Sequence, residues 1–427
     1  MPRSTAIVAS AIALGCIAYT HGDAQTPRSQ SVSPRATASA RDGIVPFKIR
    51  VPDDVLRDVR ERLARTRFPD AIEESGWSYG TDLAYLKALV AYWRDTFDWR
   101  AQERRLNQFD QFKTNIDGLD VHFIHQRSAQ PNAMPLVLLH GWPGSFVEFT
   151  KIIGPLTDPV AHGGRAEDAF HVVALSLPGF GFSDKPREPG FNPERMAAVA
   201  SKLMARLGYT RYGAQGGDWG AILGRFIALD DASHVAGLHL NFCIAGAPPP
   251  GVSDPNAGVP AAELDRMRAR DAYMASERGY SQIQSTKPQT LGYALNDSPA
   301  GLAAWIVEKF RAWCDCDGDI EKKFTKDELL TNVMIYWATA TATSSARIYY
   351  ESRVAGSVAG QNTARVQVPT ACALFPKEIS VPPRRWVEAR YNLTRWTEMP
   401  RGGHFAALEE PGPLVEDVRA FFRDLRP

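Results

Sequence analysis

A chain of 427 residues with 44% hydrophobic side chains holds enough apolar matter for one large core or two modest ones, as an ordinary globular protein does. Its 49 basic and 48 acidic side chains leave a formal net charge of +1. That field is too weak to gather nucleic acid or an anionic membrane, and a small neutral ligand suits it better.

The chain opens on an address. Arg3 precedes an apolar run from Ala6 to Tyr19, and Gly22 and Ala24 put small residues at the minus-three and minus-one positions of a cleavage before Gln25. Residues 1–24 therefore read as a signal peptide, and the protein as secreted or periplasmic. The run is short for a bilayer span, so an N-terminal membrane anchor is the alternative, and Leu14-Gly15-Cys16 offers a third, lipid attachment at Cys16. Beyond the cleavage point lie Cys243, Cys314, Cys316 and Cys372. Cys314 and Cys316 are too close for an unstrained mutual bridge, no disulfide framework is visible, and stability is expected from the core.

Residues 25–43 are rich in Ser, Ala, Arg, Gln and Thr and form a flexible leader. In the segment 44–130, Val55, Val59 and Leu63 recur at helical spacing behind Asp53 and Asp54. Leu83, Leu86, Val90, Trp93 and Phe97 form a second helical stripe behind a Thr81 cap. Phe109 to Ile116 and Leu119 to Gln126 then flank Asp117-Gly118, the dipeptide of a two-residue hairpin turn. From 131 to 245 short apolar strands alternate with helices: Leu136 to Leu139, Val172 to Leu175 and Val235 to Leu240 as strands, Pro193 to Leu207 and Trp219 to Leu229 as helices. This is the grammar of an α/β fold with a doubly wound, mostly parallel sheet. A proline-rich break at Ala245 to Pro250 opens a helical, aromatic stretch, 246–366, which suits an inserted lid. Over 367–427, Val368 to Phe375 and Leu393 to Met399 return to strand character, and Pro413 to Phe422 ends the chain as a helix.

Gln215-Gly216-Gly217-Asp218-Trp219-Gly220 has the spacing of an α/β-hydrolase nucleophile elbow, a strained strand-to-helix turn that exposes one side chain above the sheet. That side chain is Asp218, so the chemistry is attack on an sp³ carbon through an alkyl ester, with the following helix stabilising negative charge. A lone Asp in a glycine turn is commonly a cap; its place between the end of a sheet strand and the start of a helix weighs against that here. Hydrolysing the ester requires a base, and His404, in the Gly402-Gly403-His404-Phe405 loop after the last strand, stands where the order nucleophile, acid, histidine places it. Glu378, just past the Val368 to Phe375 strand, is the orienting acid; Glu409, Glu410 and Glu388 are alternatives most simply read as solvated charges. The backbone amides of Trp142, in His140-Gly141-Trp142-Pro143-Gly144-Ser145, and of Trp219 supply an oxyanion hole. His122 and His125, three apart on a strand, face opposite sides and hold no metal together. Asp315-Cys316-Asp317-Gly318-Asp319 fails as a calcium loop, since glycine falls at position four and Lys326 at twelve, leaving a solvated acidic turn. Trp305 and Trp313 offer a pocket lining, although aromatic stripes in helices read first as core packing.

From about Val45 onward the chain resembles the epoxide hydrolases of the microsomal type, through HGWPGS at His140, LPGFGFS at Leu177, QGGDWG at Gln215, GYSQIQSTKPQTLGYALNDSP from Gly279 and RGGHFAALEEP from Arg401. The resemblance implies an α/β-hydrolase core, a helical lid, and an N-terminal segment that wraps over the lid and shapes an access tunnel. It also implies two lid tyrosines that protonate the opening epoxide. By motif these are Tyr280 and Tyr349, with Tyr350 adjacent to the second. The implied partners are a small hydrophobic epoxide and water, with no nucleic acid, cofactor or metal. Peripheral membrane association is left open, and no oligomeric state is implied. Family members of this type often begin with a membrane span, from which this shorter, cleavable leader departs. A haloalkane dehalogenase, sharing the Asp, Trp and His, and a non-catalytic ligand-binding hydrolase fold are the rival readings.

Overall fold

A computed structural model describes residues 43–245, 254–357 and 364–426, so the leader, the signal reading and Cys16 lie outside the described residues. The frame is one nine-stranded sheet: β1 (Val45–Phe47), β2 (Gln111–Ile116), β3 (Leu119–Gln126), β4 (Met134–Leu139), β5 (Phe170–Leu175), β6 (Tyr212–Gly216), β7 (Val235–Leu240), β8 (Val366–Leu374) and β9 (Tyr391–Glu398), in spatial order β1-β2-β3-β5-β4-β6-β7-β8-β9. From β5 to β9 all neighbours are parallel, while β1, β2 and β3 pair antiparallel, β3 lying antiparallel on β5. The hairpin thus extends the core sheet. Asp117 (φ 52°) and Gly118 (φ 85°) both take the left-handed conformation, the twist a two-residue turn needs to match its strands.

The strand order places the site. Leaving β4, the chain crosses to β5 on one side and then returns past β4 to β6, so the carboxyl ends of β4 and β6 border the crevice where winding reverses. β4 is apolar throughout, and β5 all but His171, because helices cover both faces: Leu238 of β7 meets Gly224 of the helix Asp218–Asp230, whereas Gly237 meets Phe421 of the helix Pro411–Arg423. Between β7 and β8 the chain inserts helices Ala261–Glu277, Gly279–Thr286, Pro288–Asp297, Pro299–Trp313, Lys326–Thr339 and Ala342–Ala355. The N-terminal helices Asp53–Ala64 and Leu83–Asp95 lie against this insertion. Arg62 pairs with Asp297 at 2.8 Å, and Tyr92 Oη donates to Asp327 at 2.9 Å.

Two expectations are corrected. The second N-terminal helix is capped by Asp82, whose side chain accepts the Tyr85 amide, while the Thr81 hydroxyl donates instead to the Ala304 carbonyl at 2.8 Å. The cysteines do form disulfides. Cys243, just beyond β7, bonds Cys372 of β8 across a Cα separation of 6.1 Å, and Cys314 bonds Cys316 at 5.3 Å, both within normal reach. The sequence hid the first pair because adjacent parallel strands bring together residues 129 positions apart.

Candidate active site

Asp218 is the first residue of its helix and sits at φ 48°, a left-handed conformation that a non-glycine side chain adopts only under constraint from its surroundings. The constraint is close approach. A Cβ on Gly220 would lie 1.9 Å from the Leu139 carbonyl oxygen, so the helix start can press onto the end of β4 only with glycine there. A Cβ on Gly141 would lie 1.9 Å from Asp218 Oδ1. The gap it leaves lets the Trp142 amide donate to that same oxygen at 2.7 Å. The other oxygen, Oδ2, is 3.3 Å from His404 Nε2. One carboxylate thus divides its atoms between a fixed backbone donor and an imidazole.

Behind His404, Nδ1 lies 2.6 Å from Glu378 Oε1, and Glu378 is fully buried. Burial by itself pushes His404 toward its neutral form. The Glu378 charge, the hydrogen bonds to Asp218 and Glu378, and the Asp218 charge outweigh it and hold the imidazole pKa up at about 10. At neutral pH the resting pair is therefore imidazolium between two carboxylates.

Above the pair stands a wall of rings. Tyr280 stacks on Trp142 at 5.2 Å between centroids and meets Tyr349 edge-on at 5.8 Å; Tyr349 in turn meets Trp219 at 4.8 Å. Trp313 packs against both Tyr280 and His404, at 5.2 and 5.0 Å, so it lines the site as well as filling its helix interface. Trp305 lies further out, donating to Gln284. Both phenols are buried, whereas neighbouring Tyr350 is exposed, which separates the two readings of that motif. Burial first, with the Asp218 charge adding to it, raises both phenols well above their ordinary values, so both carry their protons throughout the neutral range.

The loop after β4 is braced from the insertion. Asn332 donates to the Pro143 carbonyl at 2.8 Å and accepts from Ser145, and Tyr336 Oη donates to the Gly144 carbonyl at 2.6 Å. The Trp142-Pro143 peptide is cis. Sequence reasoning missed Asn332 because its contacts lie 187 and 189 positions away. His122 is fully buried between Ser176 and Gln111, while His125 reaches Tyr209.

The structure brings Asp218, His404, Glu378, Tyr280, Tyr349 and the Trp142 amide together; for the Trp219 amide it gives the helix-start position, and the indole packs on Tyr349. Two alternatives for the acid are corrected. Glu409 and Glu410, read as solvated, are 8% and 5% exposed: Glu410 pairs with Lys323 and Arg401, and Glu409 accepts backbone amides around His404. Glu388 bonds Arg384 at the surface. The acidic turn is likewise engaged, since Asp315 accepts the Gly402 amide.

Fold and site together define an α/β-hydrolase with a carboxylate in the nucleophile position. Residues 44–149 match the family model of the epoxide hydrolase N terminus, and residues 134–277 that of the alpha/beta hydrolase fold. The chain is 43% identical over 410 residues to epoxide hydrolase 1 of Sus scrofa, covering 91% of this chain and 90% of that one. The crystal structure of juvenile hormone epoxide hydrolase from the silkworm Bombyx mori superposes with a TM-score of 0.83 at 33% identity, covering 91% of this chain and 96% of that one. The Aspergillus niger epoxide hydrolase structure gives 0.79 at 33%, covering 90% and 97%. The chain belongs to the epoxide hydrolase family.

Proposed function

We propose that this epoxide hydrolase converts hydrophobic epoxides to vicinal diols through an ester on Asp218. Asp218 Oδ2 attacks a ring carbon from the side opposite the departing oxygen, while Tyr280 and Tyr349 both hydrogen-bond that oxygen and one of them transfers its proton as the ring opens. Esterification removes the Asp218 charge, which is one of the influences that keep His404 protonated. His404, oriented by Glu378, then loses its proton by way of solvent to the phenolate left by ring opening, which restores the phenol, and becomes a base that draws a proton from water attacking Asp218 Cγ. The oxyanion forms on Oδ1, where the Trp142 amide already donates, with the Trp219 amide as second donor. The diol leaves and the carboxylate is restored, without metal or cofactor.

The observation that carries this reading is the division of the Asp218 carboxylate, one oxygen on a backbone amide and the other facing His404. The ring-lined wall favours apolar and aryl-bearing epoxides. Residues 246–366 serve as the lid, residues 44–130 as the segment lying over it, and residues 131–245 and 367–427 as the two parts of the core. The two disulfides support maturation in an oxidising compartment, in keeping with export by residues 1–24. Among the described residues no helix is long and apolar enough to cross a membrane.

The test is to replace His404 with Gln, incubate with styrene-type and terpene epoxides, and weigh the intact protein. An adduct on the Asp218 peptide is expected; its absence with every epoxide that the wild type converts contradicts the scheme. Faster halide release from chloroalkanes than hydration of epoxides by the wild type would favour the dehalogenase reading instead.

A further inference from the structure

The four consecutive amides that carry His404 are all claimed, and the helical insertion supplies much of the hold. Gly402 N donates to Asp315 Oδ2 at 2.8 Å, and His404 N donates to the Trp313 carbonyl at 2.9 Å. Gly403 N and Phe405 N donate to the two oxygens of Glu409, each at 3.0 Å. Glu409 Oε2 also accepts the Asp315 amide at 2.9 Å, so a single buried carboxylate ties the histidine loop to the insertion. The two backbones touch: a Cβ on Gly403 would lie 2.3 Å from the Trp313 oxygen and 3.0 Å from the Asp315 nitrogen. Asp315 itself stands between the bonded Cys314 and Cys316, which limits how far its backbone can turn.

This bonding has a chemical consequence. Trp313 O belongs to the last turn of its helix, where carbonyls lack partners within the helix, and the His404 amide satisfies it. Both Glu409 oxygens are used on main-chain N–H groups, so this carboxylate does not touch the imidazole. We infer that Glu409 and Asp315 are positioning residues that mount the His404 loop on the helical insertion, so that hydrolysis of the ester depends on this clasp far more than its formation does. The inference rests on the ester mechanism proposed above. Ester formation uses Asp218 and the phenols, which other elements hold. Ester hydrolysis needs His404 Nε2 aimed at one water, and a misplacement of about 1 Å there costs on the order of 100-fold.

The experiment measures both half-reactions separately, by stopped-flow fluorescence of the active-site tryptophans and by intact-protein mass during turnover of an aryl epoxide. Glu409→Gln turns an amide NH₂ toward a backbone N–H, leaving at least one of three donors without its acceptor. Ester hydrolysis should slow about 10- to 100-fold while ester formation changes less than about 3-fold, so that the alkyl-enzyme becomes the dominant species. Asp315→Ala removes only the Gly402 acceptor, and should slow the same step by about 3- to 10-fold; it decides the matter if Glu409→Gln does not fold. Equal losses in both half-reactions, or unchanged hydrolysis in the folded variants, would overturn the clasp. His404→Gln run in parallel separates the two readings. Adduct in that variant but not in the clasp variants overturns the clasp alone, whereas no adduct in any variant overturns the ester mechanism itself.

Discussion

The proposed cycle requires His404 to be two different acids in turn, and its neighbours allow that. In the resting site Glu378 and Asp218 both favour the imidazolium, against the opposing effect of burial. In the proposed cycle esterification removes the Asp218 charge and hydrogen bond from beside the ring while those of Glu378 stay, so the pKa falls below its resting value of about 10 and the ring can serve as a base. Hydrolysis of the ester should therefore slow as pH falls through this lower pKa, which pH-jump single turnovers would reveal; a flat profile would contradict it. The same shift has a stability sign. Because the folded pKa is raised above the ordinary 6.5, His404 contributes stability fully present below about 6.5 and lost as pH rises through about 10. Scanning calorimetry from pH 6.5 to 10.5 should show the wild-type Tm falling further than that of His404→Gln, and parallel curves would deny the coupling. For the phenols, Tyr280→Phe and Tyr349→Phe should each cut the rate of ester formation about 100-fold, read as the burst rate, since each removes one donor to the developing alkoxide.

At the level of elements the elbow is a contact between two backbones. Gly220→Ala forces a methyl against the Leu139 carbonyl, which cannot swing away as a side chain could, and should destabilise the fold by about 1–3 kcal/mol in urea unfolding. Gly141→Ala drives its methyl into Asp218 Oδ1 instead, so folding should survive while ester formation is lost. Local patterns of this kind were legible. Asp117-Gly118 announced the hairpin through the two left-handed residues it adopts, and the elbow announced itself through glycines whose spacing reflects strand-to-helix packing. The helix cap falls one residue later, at Asp82, while Thr81 answers to Ala304, a partner 223 positions away.

Over the whole molecule, what the sequence concealed is what distant segments do for one another. The approach of Glu378 to His404 could be anticipated from its place after a strand, but Glu409 and Asp315 carry no local signal of their contacts. They read as surface charges until β8, β9 and the insertion bring their loops together. The disulfides belong to the same class: nothing near Cys243 names Cys372. If both pairs form in the purified protein, thiol labelling after denaturation without reductant should leave Cys243, Cys314, Cys316 and Cys372 unmodified, and labelling at all four would exclude them. The central claim is that the oxygen added to substrate comes first from Asp218 and only later, through repair of the enzyme, from solvent. A single turnover in ¹⁸O-water with enzyme in excess tests it directly. Unlabelled diol and ¹⁸O in the Asp218 peptide are the predicted result; labelled diol with an unlabelled peptide would contradict it.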